Sequence, residues 1–514
     1  MSPNPHRLPF YEKVGYSLGD AAANFVWRGA LAYLAIFYTD TFGLTAAHAA
    51  LLILLVRLSD GITDIIMGMV ADRTDTRWGK FRPWVLWSAP ALGLFMVLCF
   101  STPDMSYTNK LIYAYITYIG LTLAYTVNNV PYSALMGVMT PSVNERAVLS
   151  GYRFAGAFGG GLLVSGFTLT LVKYFGQGND QAGYQYTMYL FAALLVIFCM
   201  ITYYTTKERV KPPAMQEGSL KQDLKDLSVN LPAILLPLLS ITVFFYYREW
   251  KSGLFFVCGM TVTYLAIRWL LKRPAEALSN TQRDLVDLIT NKPWVVLLAV
   301  GFLFMMFNGI RYGVIAYYFK YYAQNELMTQ MFFMALLVVS MFTAAVTGYI
   351  TEFISKKNLF ILSMLLGAGF NSVIYFLGPD QITLVFVFGC IGEIFAAIMP
   401  VLFFSMLGDA ADYSEYKNHR RATGLIYSAG TFINKTGGGF AGALVLIVLA
   451  GFGYNSADEQ TIAGSLEGIK LLMSFIPAGF ALLGMAVLTI YPLDAKRMQV
   501  IETELQRRRA VEAS

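Results

Sequence analysis

The hydrophobic positions of this chain fall in long uninterrupted runs, not at the spacing of a helix with one apolar face. A run of about 20 apolar residues satisfies its backbone hydrogen bonds inside lipid only by forming a helix. The pattern therefore predicts an all-α polytopic membrane protein with about fourteen helices. The predicted spans cover residues 20–40, 47–70, 84–101, 110–138, 148–172, 184–205, 231–247, 253–271, 294–320, 329–352, 358–377, 382–407, 422–450 and 468–491.

Two polar stretches divide these spans into groups. The stretch 207–230 follows the first six spans and 272–292 precedes the last six, with a short hairpin at 231–271 between them. Two six-helix bundles joined by a linker are typical of the major facilitator fold. A hairpin lying partly in the membrane interface is the alternative for 231–271. The predicted parts are an N-terminal bundle (1–206), a cytoplasmic linker with the extra transmembrane hairpin (207–292), a C-terminal bundle (293–492) and a cytoplasmic tail (493–514).

Composition narrows the class further. Of the 514 residues, 56% are hydrophobic and 14% are charged, whereas soluble proteins carry about a quarter charged residues. A disordered chain, a secreted disulfide scaffold and a soluble enzyme are thereby excluded. The net charge of +6 comes from basic residues in short loops, so it indicates orientation in a membrane and not a nucleic-acid partner.

The basic residues also predict the direction of each span. The loops 41–48 and 451–464 contain no Lys or Arg. The loop between the second and third spans contains Arg73, Arg77, Lys80 and Arg82. Because basic loops stay inside, both termini are expected in the cytoplasm.

Two aspartates lie inside the second predicted span, where an ionisable residue is energetically costly and usually marks a functional pathway. Asp60 and Asp64 are four residues apart, which places both carboxylates on one face of the helix. Adjacent carboxylates repel each other at low dielectric, and a bound proton or cation relieves the repulsion. Thr63 and Thr126 can add neutral oxygen ligands for Na⁺. The alternative is a structural ion pair between Asp60 and Arg57.

A lysine also lies deep in a predicted span. Lys435, in the thirteenth span, requires a counter-charge, and the Asp60/Asp64 pair is its natural partner. We therefore add Lys435 to the predicted cation site. The alternative is that its ammonium reaches the membrane interface along its flexible side chain.

Polar side chains in several spans predict a site for a hydroxyl-rich ligand. Asn24 and Arg28 are one turn apart in the first span, with the indole of Trp27 beside them. An amide, a guanidinium and a flat aromatic face together suit a sugar. For each residue alone, a structural hydrogen bond between helices is the alternative. The other predicted substrate-binding residues are Tyr125, Asn129, Arg153, Arg311 and Lys435.

Two glycine runs and the absence of nucleotide-binding and enzyme motifs also bear on the predicted function. Gly159–Gly161 and Gly437–Gly439 lie at equivalent places in the two halves, and predict the close helix contacts that a rocking carrier needs. No glycine loop is followed by a nucleotide-binding lysine, and no Ser/His/Asp or HExxH pattern occurs. We expect a transporter and not an enzyme, with no cofactor besides a coupling cation, Na⁺ or H⁺.

Short motifs along the chain resemble those of the glycoside–pentoside–hexuronide:cation symporters, relatives of melibiose permease. They are Gly15–Asp20 with Asn24, Phe37–Leu44, Asp60–Asp64, Arg77–Pro83, Asn129–Tyr132 and Asp409–Tyr413. The resemblance covers nearly the whole chain outside 231–271. It implies a bacterial inner-membrane carrier that couples inward Na⁺ or H⁺ movement to sugar uptake by alternating access.

The resemblance also implies roles for individual residues. The cation-site matches are Asp60, Asp64, Thr126 and Lys435. The matches to sugar-contacting positions are Asn24, Asn129 and Arg153.

The departures from the family pattern bear on the substrate and the cation. Melibiose permease carries aspartates where this chain has Asn24 and Asn129, so negative charge is lost while Arg28, Arg153 and Arg311 remain. That balance favours an acidic sugar, whereas asparagine serves a neutral glycoside or pentoside equally well. Thr63 replaces an asparagine at the cation site, which leaves Na⁺ and H⁺ both open.

Two other functions are compatible with a polytopic chain. A carrier of lysolipids or other amphiphiles would need an apolar groove that opens sideways, and a non-transporting membrane sensor would need an added soluble domain. The expected partners are a sugar, a monovalent cation and the lipid bilayer, without nucleic acid. The oligomeric state is left open.

Overall fold

A computed structural model of the 514-residue chain describes the residues listed at the end of this paragraph. The predicted helix 231–247 and most of the predicted span 47–70, including Arg57 and Asp60, lie outside them. Within them the chain is helical and has no strand. The described residues are 7–30, 34, 37–44, 48, 52, 56, 63–64, 66–210, 250–274, 278, 280–325, 327–420, 423–452 and 459–513.

The helices are numbered here in chain order. They are α1 (Phe10–Asn24), α2 (Arg82–Cys99), α3 (Tyr107–Met139), α4 (Val143–Gly176), α5 (Asp180–Thr205), α6 (Trp250–Leu271), α7 (Asn280–Thr290), α8 (Lys292–Tyr317), α9 (Leu327–Ile350), α10 (Lys356–Val373), α11 (Ile382–Asn418), α12 (Thr423–Gly451), α13 (Glu459–Met473), α14 (Phe475–Thr489) and α15 (Ala495–Ala513). A π-helical segment, Phe25–Ala30, continues α1. In the described part of the chain, nine helices are long and apolar enough to cross a membrane.

Two helices extend beyond the predicted spans for a common reason. Helix α1 begins at Phe10 rather than at residue 20, and α11 continues to Asn418 rather than ending at residue 407. Both extensions contain charged side chains that are buried in ion pairs, so the apolar run ends before the helix does. The last predicted span, 468–491, is divided at Ser474 between α13 and α14.

The described helices pack into two groups. Helix α1 packs against α4 and α5, and α2 packs against α3 and α5. In the second group, α8 packs against α12 and α14, and α10 packs against α11 and α14. The two halves meet where α4 contacts α9 and α11, and where α3 contacts α12. Side chains from these helices therefore face each other across the junction between the halves.

Buried ion pairs join the halves at one end of the bundle. Arg146, at the start of α4, is fully buried, and its Nη2 lies 3.0 Å from Asp409 Oδ1 and also contacts Asp412 of α11. Lys356 Nζ lies 2.8 Å from Asp409 Oδ2. The amide of Leu8, near the N-terminus, donates to a side chain of α4 at this same end. We call this region, with Arg146, Asp409, Asp412 and Lys356, the closed end.

A helix cap adds a further link at the closed end. Asp72, which lies in the described helical segment 66–73, accepts the backbone N–H groups of Gly424 (2.9 Å) and Leu425 (3.1 Å). These are the first amides of α12, which have no partner inside the helix. The carboxylate therefore ties the first half to the start of a helix in the second half.

Glycines allow α4 and α9 to approach closely near this end. A Cβ at Gly348 would overlap the Cα of Val148, and a Cβ at Gly151 would overlap the carbonyl oxygen of Ala344. These are backbone contacts that no side-chain movement relieves. The tightest contacts between the halves are thus made by glycines outside the predicted glycine runs.

The predicted glycine runs also allow close approach, chiefly inside each half. A Cβ at Gly160 would lie 2.7 Å from the carbonyl oxygen of Ala21 in α1, and a Cβ at Gly437 would lie 2.7 Å from Met305 Cβ in α8. No atom lies within 4 Å of a Cβ built at Gly439, among the residues described. The runs therefore pack α4 on α1 and α12 on α8.

Candidate functional site

The predicted cation site lies at the junction between the halves. Asp64 is fully buried, and Thr126 Oγ1 of α3 donates to its Oδ1 at 2.9 Å. Lys435 of α12, in the other half, places Nζ 2.9 Å from Oδ2 and 3.1 Å from Oδ1. Three of the predicted cation-site residues thus meet. Asp60 lies outside the described residues, and the half-buried Thr63 is the neighbour of Asp64 in sequence.

The ammonium of Lys435 occupies the same carboxylate oxygens that a coupling cation would use. An ion pair buried between two helix bundles is stable only while both partners stay together, because removing either one leaves an isolated charge in a medium of low dielectric. A proton or Na⁺ that bound Asp64 would therefore have to displace Lys435.

Aromatic side chains adjoin this ion pair. Trp27 and Tyr125 stack with ring centroids 5.9 Å apart and an interplanar angle of 28°. Lys435 Nζ lies 5.7 Å from the centroid of the Tyr125 ring. A flat aromatic face beside a buried ion pair is suited to the apolar face of a sugar ring. Trp27 and Tyr125, both predicted substrate residues, thus lie next to the predicted cation site.

The asparagines of the predicted site have different surroundings. Asn24 is half-buried, and its side-chain amide donates to the Asp20 carbonyl one turn earlier at 2.9 Å. Asn129 is 5% exposed on α3. Its neighbour Asn128 instead donates to the Val85 carbonyl at 3.1 Å, inside the first half. Asn128 is therefore a packing residue within that half.

Arg153 is paired with a carboxylate that the sequence did not assign to the site. Its Nε lies 2.9 Å from Asp20 Oδ2, and its Nη2 donates to Ser133 Oγ at 3.0 Å. The guanidinium also lies 4.4 Å from the ring centroid of Phe404, which belongs to the second half. Among the described residues, Nη1 of this buried side chain has no hydrogen-bond partner. Arg153 is thus neutralised but retains an N–H group for a ligand.

Arg311 is neutralised in the same way. Its Nη1 lies 3.2 Å from Glu393 Oε2, and its Nε donates to Asn371 Oδ1 at 2.9 Å. Glu393 is 2% exposed, and its Oε1 accepts the hydroxyls of Tyr312 (2.9 Å) and Ser340 (2.6 Å). The second half therefore contains its own buried network of charged and polar groups.

These two pairs correct the predicted charge balance of the site. The sequence interpretation counted Arg153 and Arg311 as retained positive charge, but Asp20 and Glu393 neutralise them. Glu393 lies inside an apolar run, so the criterion that selected Asp64 could have found it. Asp20 lies at the start of the first predicted span, where a charged residue is less unusual than in the middle of a span.

Replacing Glu393 tests the network around Arg311. The Glu393→Gln variant leaves a buried guanidinium without a counter-charge, which costs about 3–5 kcal/mol. We expect a clearly lower melting temperature in detergent. The double variant Arg311→Gln/Glu393→Gln removes the lone charge, so it is expected to recover part of that loss.

The matched control is Glu504→Gln on α15, because Glu504 pairs with Arg507 and Arg508 at the surface. Exposed pairs contribute about 0–1 kcal/mol, so this variant should melt close to the unmodified protein. A double variant as unstable as Glu393→Gln alone would contradict the assigned pairing.

Two helical halves with buried ion pairs at their junction define a membrane transporter of the major facilitator type. The family model described as MFS/sugar transport protein matches residues 15–263 and 271–495. The chain belongs to this family, in its group of glycoside–pentoside–hexuronide:cation symporters.

Several relatives match over nearly their full length. The inner membrane symporter YicJ of Escherichia coli strain K12 is 30% identical, over 92% of this chain and 89% of the relative. The isoprimeverose transporter of Lactiplantibacillus pentosus is 29% identical, over 95% and 89%. The glucuronide carrier protein homolog of E. coli strain K12 is 28% identical, over 97% and 96%.

A solved structure shares the fold. The major facilitator transporter FucP, in its outward conformation, superimposes with a TM-score of 0.60 at 11% identity, over 95% of this chain and 99% of FucP. Together with the nine apolar helices, this likeness establishes a multi-pass membrane protein with the major facilitator fold.

Proposed function

We propose that this protein is a secondary active symporter that couples inward movement of Na⁺ or H⁺ to uptake of a glycoside, pentoside or hexuronide. The observation that carries the proposal is the contact of Asp64 with Thr126 in one half and with Lys435 in the other. The isoprimeverose transporter and the glucuronide carrier homolog support a sugar as the substrate. The proposed location is the bacterial inner membrane, with both termini and the closed end facing the cytoplasm.

The coupling follows from competition at Asp64. A cation that binds this carboxylate releases Lys435, and the freed ammonium lies beside the Trp27/Tyr125 stack where the sugar ring would bind. Cation and sugar then raise each other's affinity by the same factor, for a coupling free energy of about 1–3 kcal/mol. When the loaded carrier changes state, the closed end opens and the opposite end closes.

The buried donor groups support a hydroxyl-rich substrate. A buried N–H group without a partner costs about 1–3 kcal/mol, so Nη1 of Arg153 is stabilised when the oxygen of a ligand hydroxyl accepts a hydrogen bond from it. Asn24, Asn129 and Arg153 are proposed to contact the sugar, as the family resemblance implies. These polar groups are less consistent with an amphiphile carrier.

Counterflow in proteoliposomes tests the proposal. Purified protein is reconstituted with a panel of labelled neutral glycosides, pentosides and hexuronides, and exchange is measured with and without Na⁺ at two pH values. We expect saturable exchange of at least one sugar, with affinity raised by Na⁺ or by lower pH. Absence of exchange for the whole panel, with uptake of a lysolipid instead, would favour the amphiphile carrier.

A further inference from the structure

Arg28 differs from the other arginines at the junction between the halves. It lies in the π-helical segment Phe25–Ala30, a type of segment that is frequent at functional sites. Its side chain is half-buried and packs over Gly161 of α4, where a Cβ would come 3.2 Å from Arg28 Cδ. It is close enough to Tyr312, in the second half, to act electrostatically on that phenol. Arg28 thus faces the region where the two halves meet.

The charges around Arg28 do not balance within the described part of the chain. Three ion pairs of the junction each sum to zero. They are Asp20 with Arg153, Glu393 with Arg311, and Asp64 with Lys435. No carboxylate among the described residues pairs with Arg28, so its positive charge has no counter-charge in that part of the chain. An ionisable side chain within a membrane span is costly and by default marks a ligand path.

We infer that Arg28 binds an acidic group of the transported sugar, and that the substrate carries one carboxylate or sulfonate. This inference rests on the sugar transport proposed above and names the class of sugar. A guanidinium binds such an oxyanion with two parallel hydrogen bonds, which a neutral sugar cannot provide. Trp27, the preceding residue, presents its stacked ring to the sugar, and Asn24 lies one turn earlier.

The same pairs explain why Arg153 and Arg311 do not select an acid. Each guanidinium already faces a carboxylate, at 2.9 Å and 3.2 Å respectively, and an anionic substrate would have to displace that carboxylate. A displaced carboxylate would remain buried and unpaired. The free-energy cost of that isolated charge exceeds the stabilisation from the new contact. Arg28 has no such competitor among the described residues.

The test compares sugars that differ only in the acidic group. Counterflow is measured for methyl β-D-glucuronide, its uncharged amide, and methyl 6-deoxy-6-sulfo-β-D-glucoside. The variants are Arg28→Gln, Arg28→Lys and, as a matched control, Arg507→Gln on α15, whose side chain is 74% exposed. A thermal melt of each purified variant checks that the protein is folded.

We expect Arg28→Gln to lower the apparent affinity for an acidic sugar by about 10- to 100-fold, the size of a hydrogen bond to a charged group. Affinity for the amide should stay within about twofold, Arg28→Lys should be intermediate, and Arg507→Gln should match the unmodified protein. The acidic sugar that the unmodified protein exchanges, carboxylate or sulfonate, identifies the acid.

Two results would overturn the inference. Equal losses for the acid and the amide in Arg28→Gln would assign Arg28 a structural role, for example as a partner of Asp60. An unmodified protein that exchanges only neutral sugars would also overturn it, but would leave the proposed sugar symport intact. Failure to exchange any sugar would count against both proposals.

Discussion

Asp64→Asn abolishes the uphill accumulation of sugar, while exchange of sugar across the membrane continues. An amide cannot take up a proton or contribute a negative charge to a cation site, so the ion gradient no longer drives transport. The proposed sugar contacts near Trp27 and Tyr125 are retained, and counterflow does not need the gradient. Accumulation is measured in vesicles with an imposed Na⁺ or pH gradient, and counterflow is measured without one.

Two companion variants make the Asp64 result specific. Asp64→Asn removes the carboxylate that Lys435 contacts, so Asp64→Asn/Lys435→Gln separates loss of coupling from loss of stability. The matched control is Asp104→Asn, in an exposed position between α2 and α3. Undiminished accumulation in Asp64→Asn would remove Asp64 from the coupling mechanism.

Gly348→Ala shifts the carrier away from the state described here, toward one in which the closed end is open. The added methyl group overlaps Val148 Cα across the contact between α9 and α4, and backbone atoms cannot move aside without separating the halves. Overpacking of this kind costs about 1–3 kcal/mol. In the opposite state the two helices separate at this end, so the cost disappears and the equilibrium moves.

The distance between the halves reports this shift. Spin labels are placed at Asn144 and Glu352, which are exposed near the closed end in the first and second halves, in a background without the four cysteines. Gly348→Ala should lengthen the main distance. Gly439→Ala is the matched control, because no described atom lies within 4 Å of its Cβ. An unchanged distance in Gly348→Ala would show that the contact does not hold the closed end.

Much of the fold could be predicted from the sequence, except at the helix ends that contain buried charged residues. The runs of apolar residues located α3, α4, α8 and α9 to within a few residues. Helices α1 and α11 extend past their apolar runs because Lys13 and Asp409 are buried against Glu145 and Arg146. Hydropathy cannot separate a charge in a loop from one that is buried in a pair.

The candidate site was also predictable only in part. The spacing and depth of Asp64 and Lys435 indicated an ion pair, and the structure places these side chains within 3 Å at their shortest contact. Asp20 and Glu393 were missed as partners. Each is distant in sequence from its arginine, and the sequence does not show which helices pack against each other.

The sequence by itself determined that this is a polytopic helical carrier, since only helices satisfy long apolar runs in lipid, and its motifs indicated the family. The tertiary structure decided which buried charges neutralise each other. Asp20 and Arg153 are 133 positions apart, and Asp64 and Lys435 are 371 positions apart. Charge pairing depends on distances of about 3 Å between side chains of different helices, and those distances exist only after the helices pack. That pairing distinguishes Arg28 from the arginines around it.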